Sequence, residues 1–287
     1  MRRGRFVVGR SPLQPKVAPV NIEAPPLRIM PQPRMRGAWR LVERNILAYR
    51  RQWYVFASGI LEPILFLLSI GIGVGKLVGD FTLADGTVVT YAQFVAPAML
   101  ATSAMNGAIF DATFNIYFKM KYLHLYDAVL ATPMRPWDVA TGEVGWALLR
   151  GASYSLVFLV VMSVLGLVVS WWALLAFPVA ILIGFAFAAA GMACTTWMRS
   201  WQDFEFIQLA ILPMFLFSAT FYPLSVYPEA IQWLVRVTPL YQGVNLLRGL
   251  ILGSLSWSML ASLAYLLVLG VVGMYLASRR LGRLLLK

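Results

Sequence analysis

The chain has 287 residues, of which 60% are hydrophobic and 13% are charged. Soluble domains contain about 45–50% apolar and about 25% charged residues, so this composition excludes an ordinary soluble protein. The apolar residues form blocks of about 20, the length of helix that crosses a hydrocarbon core of about 30 Å. We therefore predict an all-α membrane protein, with one membrane domain over residues 36–287.

The net charge of +12 does not indicate nucleic-acid binding, because of where the basic residues lie. Twelve of the 24 Lys and Arg residues precede position 54, and most of the others flank apolar blocks. This distribution is typical of charges that orient a membrane protein. The single cysteine, Cys194, is expected in the core, and with the single histidine, His124, it leaves too few ligands for a metal site.

Residues 1–35 form a Pro- and Arg-rich segment that cannot bury a core, so we predict a disordered cytoplasmic tail. From residue 36 to 53, apolar side chains recur at helical spacings of three and four. We interpret this segment as an amphipathic helix on the cytoplasmic membrane surface, with arginines near the lipid headgroups. An extension of the first span is the alternative. The predicted apolar face consists of Trp39, Val42, Ile46, Tyr49 and Trp53.

Six apolar blocks follow, and we predict that each is a membrane-spanning helix. Their approximate bounds are 54–78, 94–117, 143–169, 173–198, 204–222 and 257–277. A polar exterior loop separates the first two, and a polar cytoplasmic stretch separates the second and third. Twenty of the 24 basic residues fall on one side of this arrangement and three on the other. Both termini are therefore predicted to be cytoplasmic.

Residues 223–256, between the fifth and sixth spans, are mostly apolar although their position is exterior. Pro223, Pro228 and Pro239 interrupt the segment, which disfavours one straight helix. We predict an exterior re-entrant segment of two short helices, about 228–237 and 241–252, with a backbone covered by protein. A partly buried exterior cap is the alternative.

Four charged side chains lie within or at the edge of the predicted spans. A charge at the centre of a span costs about 2.5–3.5 kcal/mol on insertion scales, so each needs a partner or a role. Asp111 and Arg150 lie at similar depth, and we predict an ion pair between them. Glu143, seven residues before Arg150, is a rival partner. Glu62 is expected to contact water or a partner within the bundle, or to take part in gating.

The sequence shows no nucleotide-binding or catalytic motif. The glycines before Lys76 do not form a phosphate loop, because Ile70 and Leu77 stand where GxxxxGK[ST] requires Gly and Ser or Thr. Close helix packing is the better interpretation of these glycines. One histidine leaves no material for a His–carboxylate relay. If the protein uses ATP, another chain must bind it.

Three segments together resemble one family. Residues 122–143 read YLHLYDAVLATPMRPWDVATGE, with a Thr-Pro step and a Gly-Glu pair at the start of the third span. The second segment is Glu62-Pro63 with its downstream glycines, and the third extends from Leu212-Pro213 to Leu247-Arg248-Gly249. In order and spacing, residues 36–287 resemble the permeases of type-2 ATP-binding-cassette exporters. They are most similar to the nodulation lipo-oligosaccharide and daunorubicin-resistance types.

The resemblance implies a permease subunit that lacks an ATPase site and pairs with a second permease, identical or related. Each would dock on a cytoplasmic ATP-binding-cassette ATPase that binds ATP and Mg, while this chain holds no cofactor. A coupling helix, carried onto about 123–131, would press into a groove of the ATPase; a plain connecting loop is the alternative. The predicted contact residues are Leu125, Tyr126, Asp127, Val129 and Leu130, and Pro133 ends the helix.

The resemblance also implies a multi-pass protein of the bacterial inner (plasma) membrane that exports a lipid-linked, glycolipid or hydrophobic drug-like molecule. The pathway would follow the interface of two permeases, along spans one, two and five. A polysaccharide exporter is the alternative within transport, and a membrane-embedded lipid-modifying enzyme is the alternative from another class. Some side chains on these spans suit such a cargo, but equally suit lipid contact or packing: Met99, Met105, Phe110, Met214 and Phe217.

Overall fold

Helices account for most of the computed structural model, which describes residues 35–50, 53–82 and 86–285. The predicted tail, 1–35, lies outside these residues except for its last position. The α-helices are α1 (Met35–Tyr49), α2 (Trp53–Phe66), α3 (Gly75–Val78), α4 (Tyr91–Phe110), α5 (Ile116–Lys121), α6 (Leu125–Leu130), α7 (Pro136–Val164), α8 (Ala176–Thr195), α9 (Phe204–Phe217), α10 (Glu229–Val237), α11 (Pro239–Leu252) and α12 (Ser258–Leu285). Two stretches are π-helical, Leu67–Val74 and Asp111–Asn115, and 3₁₀ turns occur at Trp171–Leu175, Trp201–Asp203 and Leu224–Val226.

Within the described residues, three helical segments are long and apolar enough to cross a membrane: α7, Trp171–Thr195 with α8, and α12. They correspond to the third, fourth and sixth predicted spans. The first predicted span is divided into α2, a π-helical stretch and α3, where Pro63 removes a backbone donor and glycines weaken helix preference. The second is divided into α4, a π-helical stretch and α5. The chain is thus a helical membrane protein, and six spans remain a prediction.

The helices α7 and α12 are longer than predicted. α7 begins at Pro136 rather than near residue 143, because proline suits the first turn of a helix. The backbone N–H of Arg135 also donates to Asp138 Oδ2 at 3.0 Å, which satisfies a free donor at the helix start. α12 continues to Leu285 rather than ending near residue 277. Both helices therefore extend beyond their predicted apolar blocks.

Small residues allow α4, α7, α8 and α12 to pack closely. The clearest contact is between α12 and α8, where a Cβ on Gly273 would lie 2.8 Å from backbone atoms of Ala189 and Ala190. Such a distance leaves no room for a side chain. On α4, the fully buried alanines include Ala96, Ala98, Ala101 and Ala108.

Helix α1 packs against α7, and its buried side differs from the predicted apolar face. Leu41, Asn45 and Val42 are buried, and of these only Val42 belongs to the predicted face, whose Trp39 and Ile46 are exposed. Gly142 permits the close approach of the two helices, since a Cβ there would lie 2.9 Å from a backbone oxygen of α1. The exposed tryptophan and isoleucine remain suited to a membrane surface.

The loop before α4, predicted to be exterior, contains a hairpin that the all-α prediction misses. β1 (Asp80–Thr82) pairs antiparallel with β2 (Val88–Thr90), and Phe81 lies opposite Val89. Val89 is buried against the core, while the neighbouring Val88 is exposed. Strands of three residues are too short to give a readable alternating pattern.

The two short helices predicted before the last span are present as α10 and α11. The Thr238 hydroxyl caps α11 by accepting a bond from the Tyr241 N–H at 3.4 Å. α11 packs against α4, α8 and α12 and buries most of its residues, whereas α10 buries only Val235. Protein therefore covers most of α11, as a re-entrant segment requires. Its depth in a membrane remains a prediction.

Candidate functional site

An ion pair joins the second and third predicted spans. Arg150 Nη1 lies 2.7 Å from Asp111 Oδ1, and both side chains are buried. Arg150 Nε also donates to the Tyr154 hydroxyl at 2.7 Å. The structure thus contains the Asp111–Arg150 pair that the sequence predicts. Pairing reduces the cost of holding either charge in a low-dielectric interior.

The end of α1 reaches the same ion pair. The guanidinium carbon of Arg150 lies 5.9 Å from the centre of the Tyr49 ring, and that ring lies 5.2 Å from the Trp146 ring. Burial, followed by the charge of Asp111, raises the pKa of Tyr49 to about 12, so the hydroxyl stays neutral at physiological pH. Helix α1 and the intramembrane charges therefore belong to one contact region.

A second buried ion pair lies nearer the predicted cytoplasmic side. Lys119 Nζ of α5 lies 2.7 Å from Glu143 Oε2 of α7, and their side chains are only 7% and 1% exposed. Asn45 of α1 accepts a bond from Lys119 Nζ and donates one to Glu143 Oε2, each at 3.1 Å. Arg44 places a second cation 3.8 Å from Glu143 Oε1. We name Arg44, Asn45, Lys119 and Glu143 the cytoplasmic charge cluster.

Sequence reasoning does not find this cluster. It offers Glu143 as a rival partner for Arg150, but the structure pairs Glu143 with Lys119, so that rival pairing is wrong. It also treats Lys119 as a boundary charge, although the side chain is buried. One signal was available: Asn45 lies on the same side of α1 as Leu41 and Tyr49, four residues from each. The carboxylate that it meets lies 98 positions away.

The buried side of α6 faces this cluster. Tyr126 is fully buried, and its burial, followed by the charge of Glu143, raises the pKa of its hydroxyl well above the usual value. Leu125, Val129 and Leu130 are partly buried and pack against the core. The Tyr126 side chain is thus enclosed by this chain itself, and its predicted contact with an ATPase remains a prediction. The apolar edge of α6 is likewise turned inward.

The exposed side of α6 is small and carries a single charged residue. It presents Asp127 and Ala128, and the following turn exposes Pro133. His124 precedes the helix with φ 45°, and its Nδ1 lies 3.2 Å from Asp127 Oδ2. Leu123 is 59% exposed. Of the six predicted coupling residues, Asp127 and Pro133 are exposed, Tyr126 is buried, and the other three are partly exposed. The flanking turns therefore carry much of the accessible area.

A cavity of about 780 Å³ lies between α2, α4 and α9, and it reaches Arg150 and Tyr154 on α7. Aromatic rings form part of its lining, including Phe110 and Phe114, which stack at 5.1 Å. Such a mixture of apolar and polar groups is typical of a site for an amphipathic molecule. The uncharged polar residues in the lining are Thr102, Ser103, Asn106, Thr113 and Gln208.

Helix α9 separates this cavity from a second one of about 460 Å³, which lies between α4, α8 and α9. No residue of α9 is buried. Cys194 is exposed and lines the second cavity, so its predicted core position is wrong. The physical reason is that α9 stands away from α8, the helix that carries this cysteine.

The other residues named from the sequence have mixed positions. Met99 lines the first cavity and Met214 the second, but Met105 is fully buried and serves packing. Glu62 belongs to α2, and its side chain is outside the described part of the chain, so its role remains a prediction. No group of three or more possible metal ligands occurs among the described residues.

Most of the chain matches known proteins. The profile of the ABC-2 type transporter family matches residues 36–252. Nodulation protein J of Rhizobium leguminosarum bv. viciae is 34% identical over 220 residues, which cover 76% of this chain and 82% of that protein. Nodulation protein J of Rhizobium leguminosarum bv. trifolii is 32% identical over 254 residues, covering 88% and 94%. These matches confirm the resemblance drawn from the three sequence segments. The chain therefore belongs to the ABC-2 type transporter family, as a transmembrane permease subunit.

Proposed function

We propose that this protein is the permease of an exporter that moves a lipid-linked, glycolipid or hydrophobic drug-like molecule out of the cytoplasm. The arrangement of α6 carries the proposal. Its inner side is buried through Tyr126, while Asp127 and Ala128 remain exposed for a partner. A helix fixed in this way passes a displacement by its partner on to the helices that it contacts, instead of moving by itself. The family works with an ATP-binding subunit, and in our proposal ATP and Mg bind that subunit.

The cytoplasmic charge cluster supplies a route from α6 to the spans. Glu143, the neighbour of Tyr126, also binds Lys119 at the end of α5 and Asn45 on α1. A push on α6 would therefore reach three other helices together. α7 continues from Glu143 to Arg150, which borders the larger cavity.

The larger cavity supports an amphipathic cargo. Its uncharged polar groups can bind a polar head, while its aromatic rings and Leu212 can contact an apolar part. Mass spectrometry of molecules that co-purify with the protein tests this cargo class. Recovery of a lipid-free polysaccharide alone would replace it by the polysaccharide alternative. The lipid-modifying alternative has no support, because the family is a transporter component.

A second permease subunit, identical or related, completes the proposed exporter. Helix α9 lines both cavities and also exposes large apolar residues such as Phe206 and Leu209. A partner permease would cover part of this helix, and membrane lipids would cover the remaining apolar surface.

We propose six spans in a bacterial inner membrane, with both termini in the cytoplasm. Single cysteines in a Cys194→Ala background test the sides, since the protein has no other cysteine. Thr82→Cys in the hairpin should react with an impermeant maleimide in intact cells, whereas Thr132→Cys after α6 should react only after lysis. Labelling on the opposite sides would contradict the topology.

The coupling role of α6 is tested by Ala128→Arg. The substitution adds a charge to the exposed side and leaves the buried Tyr126 side unchanged. We expect ATPase binding at least about tenfold weaker, because an unpaired charge enters the interface, with a matching loss of cargo-stimulated ATP hydrolysis. Gln202→Arg adds the same charge to the exposed turn between α8 and α9 and is the matched control. Unchanged binding in Ala128→Arg, or an equal loss in both variants, would contradict the role of α6.

A further inference from the structure

Helix α9 is fixed at both ends and packs only loosely between them, where Ile211, Met214 and Phe215 are partly buried against the core. None of its residues is buried, and a cavity lies on either side of it. The three residues that follow it, Ser218, Ala219 and Thr220, are at most 1% exposed. The chain thus passes directly from a loosely packed helix into a fully packed turn.

Arg248 of α11 makes the contacts that fix this turn. Its Nη2 donates to the Ala219 carbonyl at 2.9 Å and to the Phe94 carbonyl at 3.3 Å. Its guanidinium carbon also lies 3.9 Å from the centre of the Phe94 ring. None of the ion pairs among the described residues involves Arg248. Its contacts in the structure are therefore backbone carbonyls and a ring, on two different helix ends.

The chemistry of arginine suits this position. A planar guanidinium offers five N–H donors and can serve two carbonyls together, whereas a lysine ammonium acts as a compact point charge. The Ala219 carbonyl lies just after the C-terminus of α9, where the helix dipole favours a cation. Ala219 also has φ 55°, in the left-handed region that favours glycine. This turn therefore depends on tertiary contacts more than on local preference.

Different contacts hold the cytoplasmic end of α9. Asp203 Oδ2 accepts bonds from the backbone N–H of Arg199 at 2.7 Å and of Ser200 at 3.2 Å. Phe204 meets the ring of Tyr117 edge-on at 5.2 Å. None of these groups touches Arg248 or the Ala219 turn in the contacts of the described residues, so the two attachments can be altered separately.

We infer that Arg248 is a positioning residue that sets the place of the exterior end of α9, and that α9 is a wall attached at two ends between the two cavities. Its relevance to export rests on the proposed function. The attachment itself does not, and it can be measured without cargo or ATPase.

The experiment measures cross-linking between α9 and its neighbours in the full chain, in native membranes, with Cys194→Ala. The exterior pair is Phe66→Cys with Phe215→Cys, whose rings meet edge-on at 6.3 Å. The control pair is Thr113→Cys, in the π-helical stretch that follows α4, with Ile207→Cys on α9. Both residues line the two cavities, and neither takes part in the aromatic contacts of the cytoplasmic end. A short bifunctional maleimide joins each pair, and the rate is followed by gel mobility of the single chain.

We expect Arg248→Met to slow cross-linking of the exterior pair at least about fivefold, the loss expected when hydrogen bonds to a charged group disappear. The cross-linking rate of the control pair should change less than about twofold, because the cytoplasmic end of α9 keeps its Asp203 contacts. Arg248→Lys should give an intermediate rate, since one ammonium group cannot reproduce the planar set of N–H donors of the guanidinium. Ser218→Ala removes the contact of its hydroxyl with Thr238 Oγ1 at 3.1 Å and should slow the exterior pair slightly.

An unchanged exterior rate in the Arg248 variants would overturn the inference, as would equal slowing of both pairs, which indicates general loosening. If the Arg248→Met variant does not insert into the membrane, the rates of Arg248→Lys and Ser218→Ala test the inference by the same criteria. These outcomes are separate from the transport proposal. Ala128→Arg at α6 should leave both cross-linking rates unchanged, so a failure of coupling and a failure of the α9 attachment give different results.

Discussion

The two apolar helices α8 and α9 have similar hydropathy but differ in how closely they pack against the rest of the chain. α8 buries twelve of its residues, mostly alanine and glycine, whereas α9 buries none. α9 consists mainly of phenylalanine, leucine and isoleucine, with a single alanine. In a bilayer, apolar side chains gain little by leaving lipid, so close backbone approach decides which helices associate. Small residues, more than hydropathy, therefore distinguish the closely packed bundle from α9, the wall between the two cavities.

In the closely packed bundle, we expect the greatest loss of stability from a substitution in the cytoplasmic charge cluster. Lys119→Met should destabilise the protein by about 3–5 kcal/mol, because it leaves the Glu143 carboxylate buried without its closest cation. Unfolding by SDS in mixed micelles measures this loss. Lys121→Met, two residues away and exposed, should stay within about 0.5 kcal/mol.

The double variant Lys119→Met/Glu143→Met sharpens this result. Removing both charges should cost less than the sum of the single losses, because no unpaired charge remains. Additive losses would show that the two side chains do not stabilise one another.

The Asp111–Arg150 pair should show a smaller but measurable coupling. Arg150→Met should be tolerated better in an Asp111→Asn background than alone, with a coupling energy of about 1–3 kcal/mol. The same cycle with Glu143→Gln in place of Asp111→Asn should give little coupling, because Glu143 binds Lys119. Equal damage from Arg150→Met in both the native and the Asp111→Asn backgrounds would argue against the pair.

One added methyl group should disrupt the close packing of α12 against α8. Gly273→Ala should cost about 1–3 kcal/mol, because the new Cβ would lie 2.8 Å from the backbone of α8. Gly73→Ala is the matched control, since nothing lies within 4 Å of a Cβ there. Thermal unfolding in detergent should separate the two. Similar melting temperatures would mean that α8 and α12 can move apart freely.

The smallest expected effect on folding lies in α9. Leu209→Ala should change the free energy of unfolding by no more than about 0.5 kcal/mol, because the side chain is 69% exposed. Leu100→Ala in α4, which is fully buried, should cost about 2–5 kcal/mol. Comparable losses at the two sites would show that α9 is packed within the single chain. Cross-linking of two permeases should respond to Leu209→Ala if a partner covers α9.

The candidate site was partly readable from the sequence. Depth counting placed Asp111 beside Arg150, because both positions follow from helix rise and the span boundaries. It failed for Lys119 and Glu143, because a lysine at a span edge has the same sequence signature whether it meets water or a buried carboxylate. Sequence reasoning also did not indicate that the Tyr126 side chain is buried, because a six-residue helix has too few positions to show which side is enclosed.

The helical membrane class, the family and the helix order, including the two short helices before the last span, could be predicted without the structure. These features depend on local composition, proline positions and a family pattern. Which side of α1 and α6 is buried, and which groups contact Lys119, Glu143 and Arg248, depends on how distant helices pack together. Those contacts join residues from 24 to 154 positions apart, and helix packing that depends on backbone approach leaves little trace in local hydropathy.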